Sequence, residues 1–133
     1  MMQVLIVEND PTLAVMLKDI VEIDQLHSVT GIVRDVEGAI ASIAACPPQL
    51  ALIDLQLGGH ATGIEVAARA REREVPTLFT TADPLPFPIP ELALGCLCKP
   101  YNRYSVAQSL HIAERIIERR PVPDDIPSEL EVY

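Results

Sequence analysis

The chain has 133 residues, with 10 Lys and Arg against 19 Asp and Glu, a formal net charge of −9 and 49% hydrophobic residues. That length and composition suit one globular domain with a real core and exclude a disordered polyelectrolyte. The acidic balance speaks against a direct nucleic-acid binder or a polybasic membrane-surface protein, and no apolar run approaches the ~20 residues that span a bilayer.

At the N-terminus, Met1-Met2-Gln3 leads straight into an apolar run at 4–7 with no basic region before it, unlike a signal peptide. Residues 4–7 read as a strand buried on both faces. Asp10-Pro11 is a helix start, with a capping acid and Pro at the first position. Leu13, Met16, Leu17 and Ile20 follow at helical spacing. Ser28–Val33 is β-branched and reads as a second strand, and Val36, Ile40, Ile43 and Ala44 mark a second helix. Residues 50–53 form a third strand, with Asp54 directly after it. Leu57-Gly58-Gly59-His60 is a flexible loop, in which His60 reads as a solvated side chain. Ile64, Ala67 and Ala68 begin a third helix that runs to about Arg73.

Residues 77–80 are a fourth strand. The next stretch, Asp83-Pro84-Leu85-Pro86-Phe87-Pro88-Ile89-Pro90, puts proline at every second position. No α-helix survives that, so this crossover is extended or at most a short helix, with Leu85, Phe87 and Ile89 exposed between prolines. Gly95–Cys98 is a fifth strand. Its Cys96-Leu97-Cys98 pair lacks a second ligand pair for zinc and reads as small buried hydrophobes. Three cysteines make no disulfide framework and fit a reducing cytoplasm. Asn102 can cap a last helix with its apolar stripe at Val106, Leu110, Ala113 and Ile117, ending at Arg120. Residues 1–120 form the domain on this reading. Residues 121–133, acidic and proline-containing, form a tail expected to lie disordered outside the fold unless it docks. Strand–helix alternation of this kind makes right-handed βαβ units and a parallel sheet.

In such a sheet, function gathers at the carboxyl ends of the strands. Glu8 and Asn9 stand after the first strand, Asp54 after the third, Thr80 and Thr81 at the end of the fourth, and Lys99-Pro100 after the fifth. Oxygen ligands beside open water positions suit Mg²⁺. A carboxylate flanked by a hydroxyl and an ammonium suits phosphoryl transfer, with Asp54 as the nucleophile.

Read together, Val4-Leu5-Ile6-Val7-Glu8-Asn9-Asp10-Pro11, Leu52-Ile53-Asp54-Leu55-Gln56-Leu57, Gly63-Ile64-Glu65, Val75-Pro76-Thr77-Leu78-Phe79-Thr80-Thr81-Ala82 and Lys99-Pro100-Tyr101 resemble the receiver domain of bacterial two-component response regulators. The resemblance covers about residues 2–120. It implies an α/β, flavodoxin-like three-layer sandwich with a five-stranded parallel sheet in the order 2-1-3-4-5, here with its fourth helix short or missing. It implies a phosphoryl group accepted on Asp54 from a histidine kinase or phosphotransfer protein, with Mg²⁺ as cofactor. By position, Glu8 and Asn9 take the acidic-pair places and Gln56 offers its backbone carbonyl to the metal alongside Asp54. Thr81 is the switch hydroxyl, and Lys99 pairs with the phosphate. The peptide before Pro100 is expected to be cis. Signalling is expected through a downstream protein or a homodimer on the 84–120 face, anchored by Phe87, with no enzyme activity beyond self-phosphotransfer and self-dephosphorylation. No DNA-binding segment is expected after Arg120.

The chain also departs from that pattern. Asn9 replaces the second acid and removes a charge from the metal site, which implies weaker Mg²⁺ binding. Cys96 stands where the family usually has its aromatic switch residue, so the usual ring movement cannot operate. The shortened crossover resembles an alphaproteobacterial sub-branch with an F-A-T-G motif, although this chain reads Phe79-Thr80-Thr81-Ala82. Two other readings compete. One is a phosphorylation-independent pseudo-receiver acting as adaptor or dimerisation module. The other is a flavodoxin-like cofactor binder, disfavoured because Glu8-Asn9-Asp10-Pro11 has no glycine to cradle a phosphate.

Overall fold

The structure is a computed structural model that describes residues 1–59 and 62–133; His60, the loop histidine singled out above, lies outside the described residues. Six strands and four α-helices alternate along the described chain: β1 (Gln3–Val7), α1 (Pro11–Val21), β2 (Ser28–Val33), α2 (Val36–Ala45), β3 (Leu50–Asp54), α3 (Gly63–Glu72), β4 (Thr77–Thr81), β5 (Gly95–Cys98), α4 (Arg103–Ile117) and β6 (Leu130–Val132). They build one sheet in the order β2-β1-β3-β4-β5-β6. The first five strands are parallel neighbours, and β6 runs antiparallel to β5. The first five strands follow the flavodoxin-like order 2-1-3-4-5 that the resemblance implies.

Two apolar layers sandwich the sheet. Alternating strand residues such as Val4, Ile6, Leu52 and Leu97 face α1 and α4. Leu5, Val7, Ile53 and Phe79 face α2 and α3. Each of β1, β3 and β4 is therefore buried on both sides, which is why these strands read as continuous apolar runs. Capping follows the sequence signals: Asp10 accepts from the Thr12 and Leu13 amides, and Asn102 forms a capping box with Ser105. The apolar stripe of α1 is rotated from the expected one. Ala14, Leu17, Ile20 and Val21 are buried, whereas Met16 stays at the surface.

Three expectations are corrected. The sheet has six strands and not five, because the segment read as a tail outside the fold supplies β6. Leu130 drives this, reaching 8% exposure in the α1/α4 layer. The last helix stops at Ile117, short of Arg120. Between β4 and β5 there is no α-helix among the described residues, as the prolines require. Yet Leu85 and Ile89 are not exposed, since they pack with Leu92 against the α2/α3 layer. Phe87 alone of the three projects outward, at 61% exposure.

Gly63, at the start of α3, is where the fold presses on the end of β3. A Cβ there would lie 2.3 Å from the Asp54 carbonyl oxygen and 2.8 Å from Leu55 Cα. Gly63→Ala is expected to destabilise the domain by about 1–3 kcal/mol, the range for overpacking. Urea unfolding measures it, and an unchanged midpoint would contradict the tight α3–β3 approach.

Candidate functional site

The carboxyl ends of β1, β3 and β5 converge because these strands are parallel and close in the sheet. Glu8 follows β1 directly and is 1% exposed; Asp54 ends β3 at 3% exposure. Lys99 follows β5, and its ammonium lies 3.1 Å from Glu8 Oε1 and 3.3 Å from Asp54 Oδ2. The Lys99 amide donates to the Thr81 carbonyl at 2.7 Å, tying the lysine to the end of β4. The peptide between Lys99 and Pro100 is cis, as expected.

Both carboxylates use their other oxygens on backbone amides. Glu8 Oε2 accepts from the Asp10 amide at 3.1 Å, and Asp54 Oδ1 accepts from the Gln56 amide at 2.9 Å. One ammonium faces two nearly buried acids, so the cluster carries a net negative charge. Burial first, and then the hydrogen bond and charge of Asp54, push the Glu8 carboxyl above its ordinary value.

The remaining expected residues are placed differently. Thr81 is fully buried at the end of β4, but its hydroxyl is engaged in a tight turn. It donates to the Asp83 carbonyl at 3.1 Å and accepts from the Asp83 amide at 3.0 Å. Asn9 is exposed beside Glu8. Gln56 is half-buried, and its amide serves Asp54.

Tyr101 was legible only as part of the Lys99-Pro100-Tyr101 run, and its position in the site was missed. Its hydroxyl is buried without a hydrogen-bond partner among the described residues. Burial, followed by the charges of Glu8, Asp54 and Asp10, raises the phenol well above its usual range and keeps it protonated. The signal that could have found it is its place two residues after the lysine. Tyr101 also lines an open, mostly apolar groove of about 450 Å³ with Leu13, Met16, Ala82, Lys99 and Pro100.

Mg²⁺ is the ion expected at this donor set. This ion takes hard oxygen ligands, one or two carboxylates from the protein, and keeps several waters. Glu8 and Asp54 supply that number. No group of three His, Cys, Asp or Glu among the described residues stands together as a metal cage. The residues therefore fit a hydrated Mg²⁺, with less charge than a three-acid site would bring. Chemically, a buried carboxylate with an ammonium at 3.3 Å and a threonine on the neighbouring strand end can carry a transferred phosphoryl group.

A family model described as the response regulator receiver domain matches residues 4–111. Solved structures agree on the fold. The signal receiver domain of the putative response regulator NarL from Mycobacterium tuberculosis is similar at 22% identity and a TM-score of 0.75, covering 90% of this chain and 98% of that one. The CheY-like receiver domain protein from Methanospirillum hungatei JF-1 is similar at 20% identity and a TM-score of 0.77, over 88% and 96% of the two chains. The signal receiver domain of a modulated diguanylate cyclase from Desulfovibrio desulfuricans G20 reaches 27% identity and a TM-score of 0.75, over 90% and 98%. A comparison with curated proteins found no match.

Proposed function

Since the chain belongs to the response regulator receiver domain family, we propose that it is a phosphoacceptor of two-component signalling, taking a phosphoryl group onto Asp54 from a histidine kinase or phosphotransfer protein. The observation that carries this reading is the Lys99 ammonium within 3.3 Å of a nearly buried Asp54 carboxylate. An Asp54 oxygen attacks phosphorus, the P–N bond of the donor's phosphohistidine breaks, and the imidazole leaves with the bonding electrons. Lys99 then pairs with the phosphoryl oxygens. Thr81 joins it by giving up its turn with Asp83 for the new acceptor. Glu8, Asp54 and the Gln56 carbonyl would hold Mg²⁺, which when bound neutralises phosphoryl charge. The apolar groove beside Lys99 offers the donor a wall to rest on. Cytoplasmic residence fits the three free cysteines, and among the described residues no helix is long and apolar enough to cross a membrane.

Acetyl phosphate with Mg²⁺ tests the reading. The intact mass of the wild-type chain should gain one phosphoryl group, and the gain should vanish with EDTA. No gain after excess donor would reject it in favour of the pseudo-receiver. That second reading draws on Asn9, the neutral residue at the acidic-pair position.

Asn9→Asp adds a full charge beside Glu8. It is expected to tighten Mg²⁺ binding roughly tenfold, on the order of the strengthening an added carboxylate brings to a hard-cation site. It should also cost the metal-free protein some stability through repulsion by Glu8 and Asp54. A calorimetric titration with unchanged affinity would show that Asn9 does not face the metal.

Output contacts follow from Phe87. Leu85 and Ile89 anchor the proline segment to the core, so Phe87 is presented on a stiff, extended support. Phe87→Ala is expected to weaken association with a downstream protein or second copy while changing stability by only about 0.5 kcal/mol or less, as for other surface positions. Unchanged association in a pull-down or sedimentation series would remove Phe87 from the output surface.

A further inference from the structure

Donors and acceptors around the two acids do not balance. Glu8 and Asp54 are 1% and 3% exposed and share the single ammonium of Lys99, at 3.1 and 3.3 Å. Each also has one backbone amide: Asp10 serves Glu8 at 3.1 Å, and Gln56 serves Asp54 at 2.9 Å. A further buried donor serves neither. The Tyr101 hydroxyl is sealed from solvent and makes no hydrogen bond among the described residues.

The chain itself puts the phenol there. Tyr101 comes two residues after Lys99, across the cis join to Pro100, and lines the same groove as the lysine. Its ring packs against the apolar layer under α1 and α4, which holds the side chain in place. Of the charges that act on the phenol, that of Glu8 is the largest, ahead of Asp54 and Asp10. A buried hydroxyl without an acceptor is costly. Held in that position at that cost, it has its acceptor in another state of the site.

Phosphoryl transfer creates such a state. Once Asp54 carries a phosphoryl group, the Lys99 ammonium moves outward from between the acids to reach the oxygens on phosphorus. Of its present partners Glu8 then keeps the Asp10 amide, and it becomes an almost fully buried carboxylate short of a donor. We propose that Tyr101 is a positioning residue for the phosphorylated state: its hydroxyl donates to Glu8 in place of Lys99, which frees the ammonium for the phosphoryl group. A phenylalanine there fills the same volume and supplies no donor. The role rests on Asp54 being the acceptor.

Tyr101→Phe tests it, with different results expected in the two states. In the metal-free protein the variant should unfold in urea at the wild-type midpoint or above it, because the lost hydroxyl had no partner. With Mg²⁺ present, its affinity for the phosphoryl mimic beryllofluoride, measured by calorimetry, should fall roughly tenfold, the size of one hydrogen bond to a charged group. The chain has three tyrosines and no tryptophan, so a near-ultraviolet difference spectrum reads the phenols directly. Loading the wild type should shift a tyrosine band to the red. Tyr104→Phe and Tyr133→Phe should keep that shift, and Tyr101→Phe should lose it. A lower urea midpoint for resting Tyr101→Phe would overturn the proposal, since the hydroxyl would already have a partner. So would an unchanged beryllofluoride affinity. A wild type that neither binds beryllofluoride nor gains phosphoryl mass would reject Asp54 as acceptor, and the role of Tyr101 with it.

Discussion

Asp54→Asn is expected to abolish phosphoryl uptake while leaving the metal-free protein at least as stable as wild type. In the native cluster two carboxylates share one ammonium, at 3.1 and 3.3 Å, and both are almost fully buried. Asparagine keeps the size of the side chain and still offers an oxygen to the Gln56 amide, which now sits 2.9 Å from Asp54 Oδ1. It also leaves Glu8 and Lys99 as a one-to-one pair. Glu8 then loses the Asp54 hydrogen bond and charge that help raise its carboxyl, and only burial remains as an upward cause. Intact mass after acetyl phosphate measures the first half of the prediction, and a urea midpoint the second. A phosphoryl group still appearing on Asp54→Asn would move the acceptor to another residue. A large loss of stability would mean that Asp54 holds the fold together rather than burdening it.

Lys99→Met should do the opposite to the fold. Removing the ammonium leaves Glu8 and Asp54 buried, adjacent and both negative. Breaking a buried ion pair by deleting one partner costs about 3–5 kcal/mol; because Lys99 is partly exposed and the acids can share a proton, about 2–4 kcal/mol is expected at neutral pH. The pH dependence has a definite sign. With the cation gone, Glu8 loses the Lys99 hydrogen bond that lowers its carboxyl, so its folded-state value rises further above the unfolded one. The variant therefore loses stability as pH climbs from the ordinary carboxylate range through that raised value, and it recovers on acidification. Urea unfolding at neutral and mildly acidic pH reads this directly. A deficit that does not shrink in acid would show that Lys99 supports the fold by packing its alkyl chain instead of by its charge.

Much of this was open to a reader of the sequence because the local signals are strong where the fold is regular. Apolar runs at β1, β3 and β4, the Asp10-Pro11 helix start and the Asn102 cap each follow from nearest-neighbour chemistry. They predicted elements to within a few residues. The same holds for Glu8, Asp54 and Lys99: once strands are parallel, residues at their carboxyl ends must meet.

Errors fell where partners distant in sequence decide the outcome. Leu85 and Ile89 look exposed between prolines, but the missing helix leaves apolar surface over Phe79 and Cys96 that something must cover. Residues 121–133 have the composition of a disordered tail, yet Leu130 finds a site in the core and Gly95 makes room for its neighbour's carbonyl. A single buried leucine with a short ladder offsets the ordering of the segment, and no composition argument registers that.

By itself, then, the sequence determined the strand–helix rhythm, the proline-broken crossover and the presence of two acids and a lysine at the strand ends. These depend on propensity, periodicity and the one-dimensional order of the chain. Only the tertiary structure decided that Lys99 bridges Glu8 and Asp54, that the Thr81 hydroxyl turns to Asp83, and that the Tyr101 phenol is buried near the acids. It alone decided that a sixth strand closes the sheet. Each of these is a choice among partners far apart in the chain, made by packing and charge in three dimensions, and the spacing of residues along the chain carries no record of it.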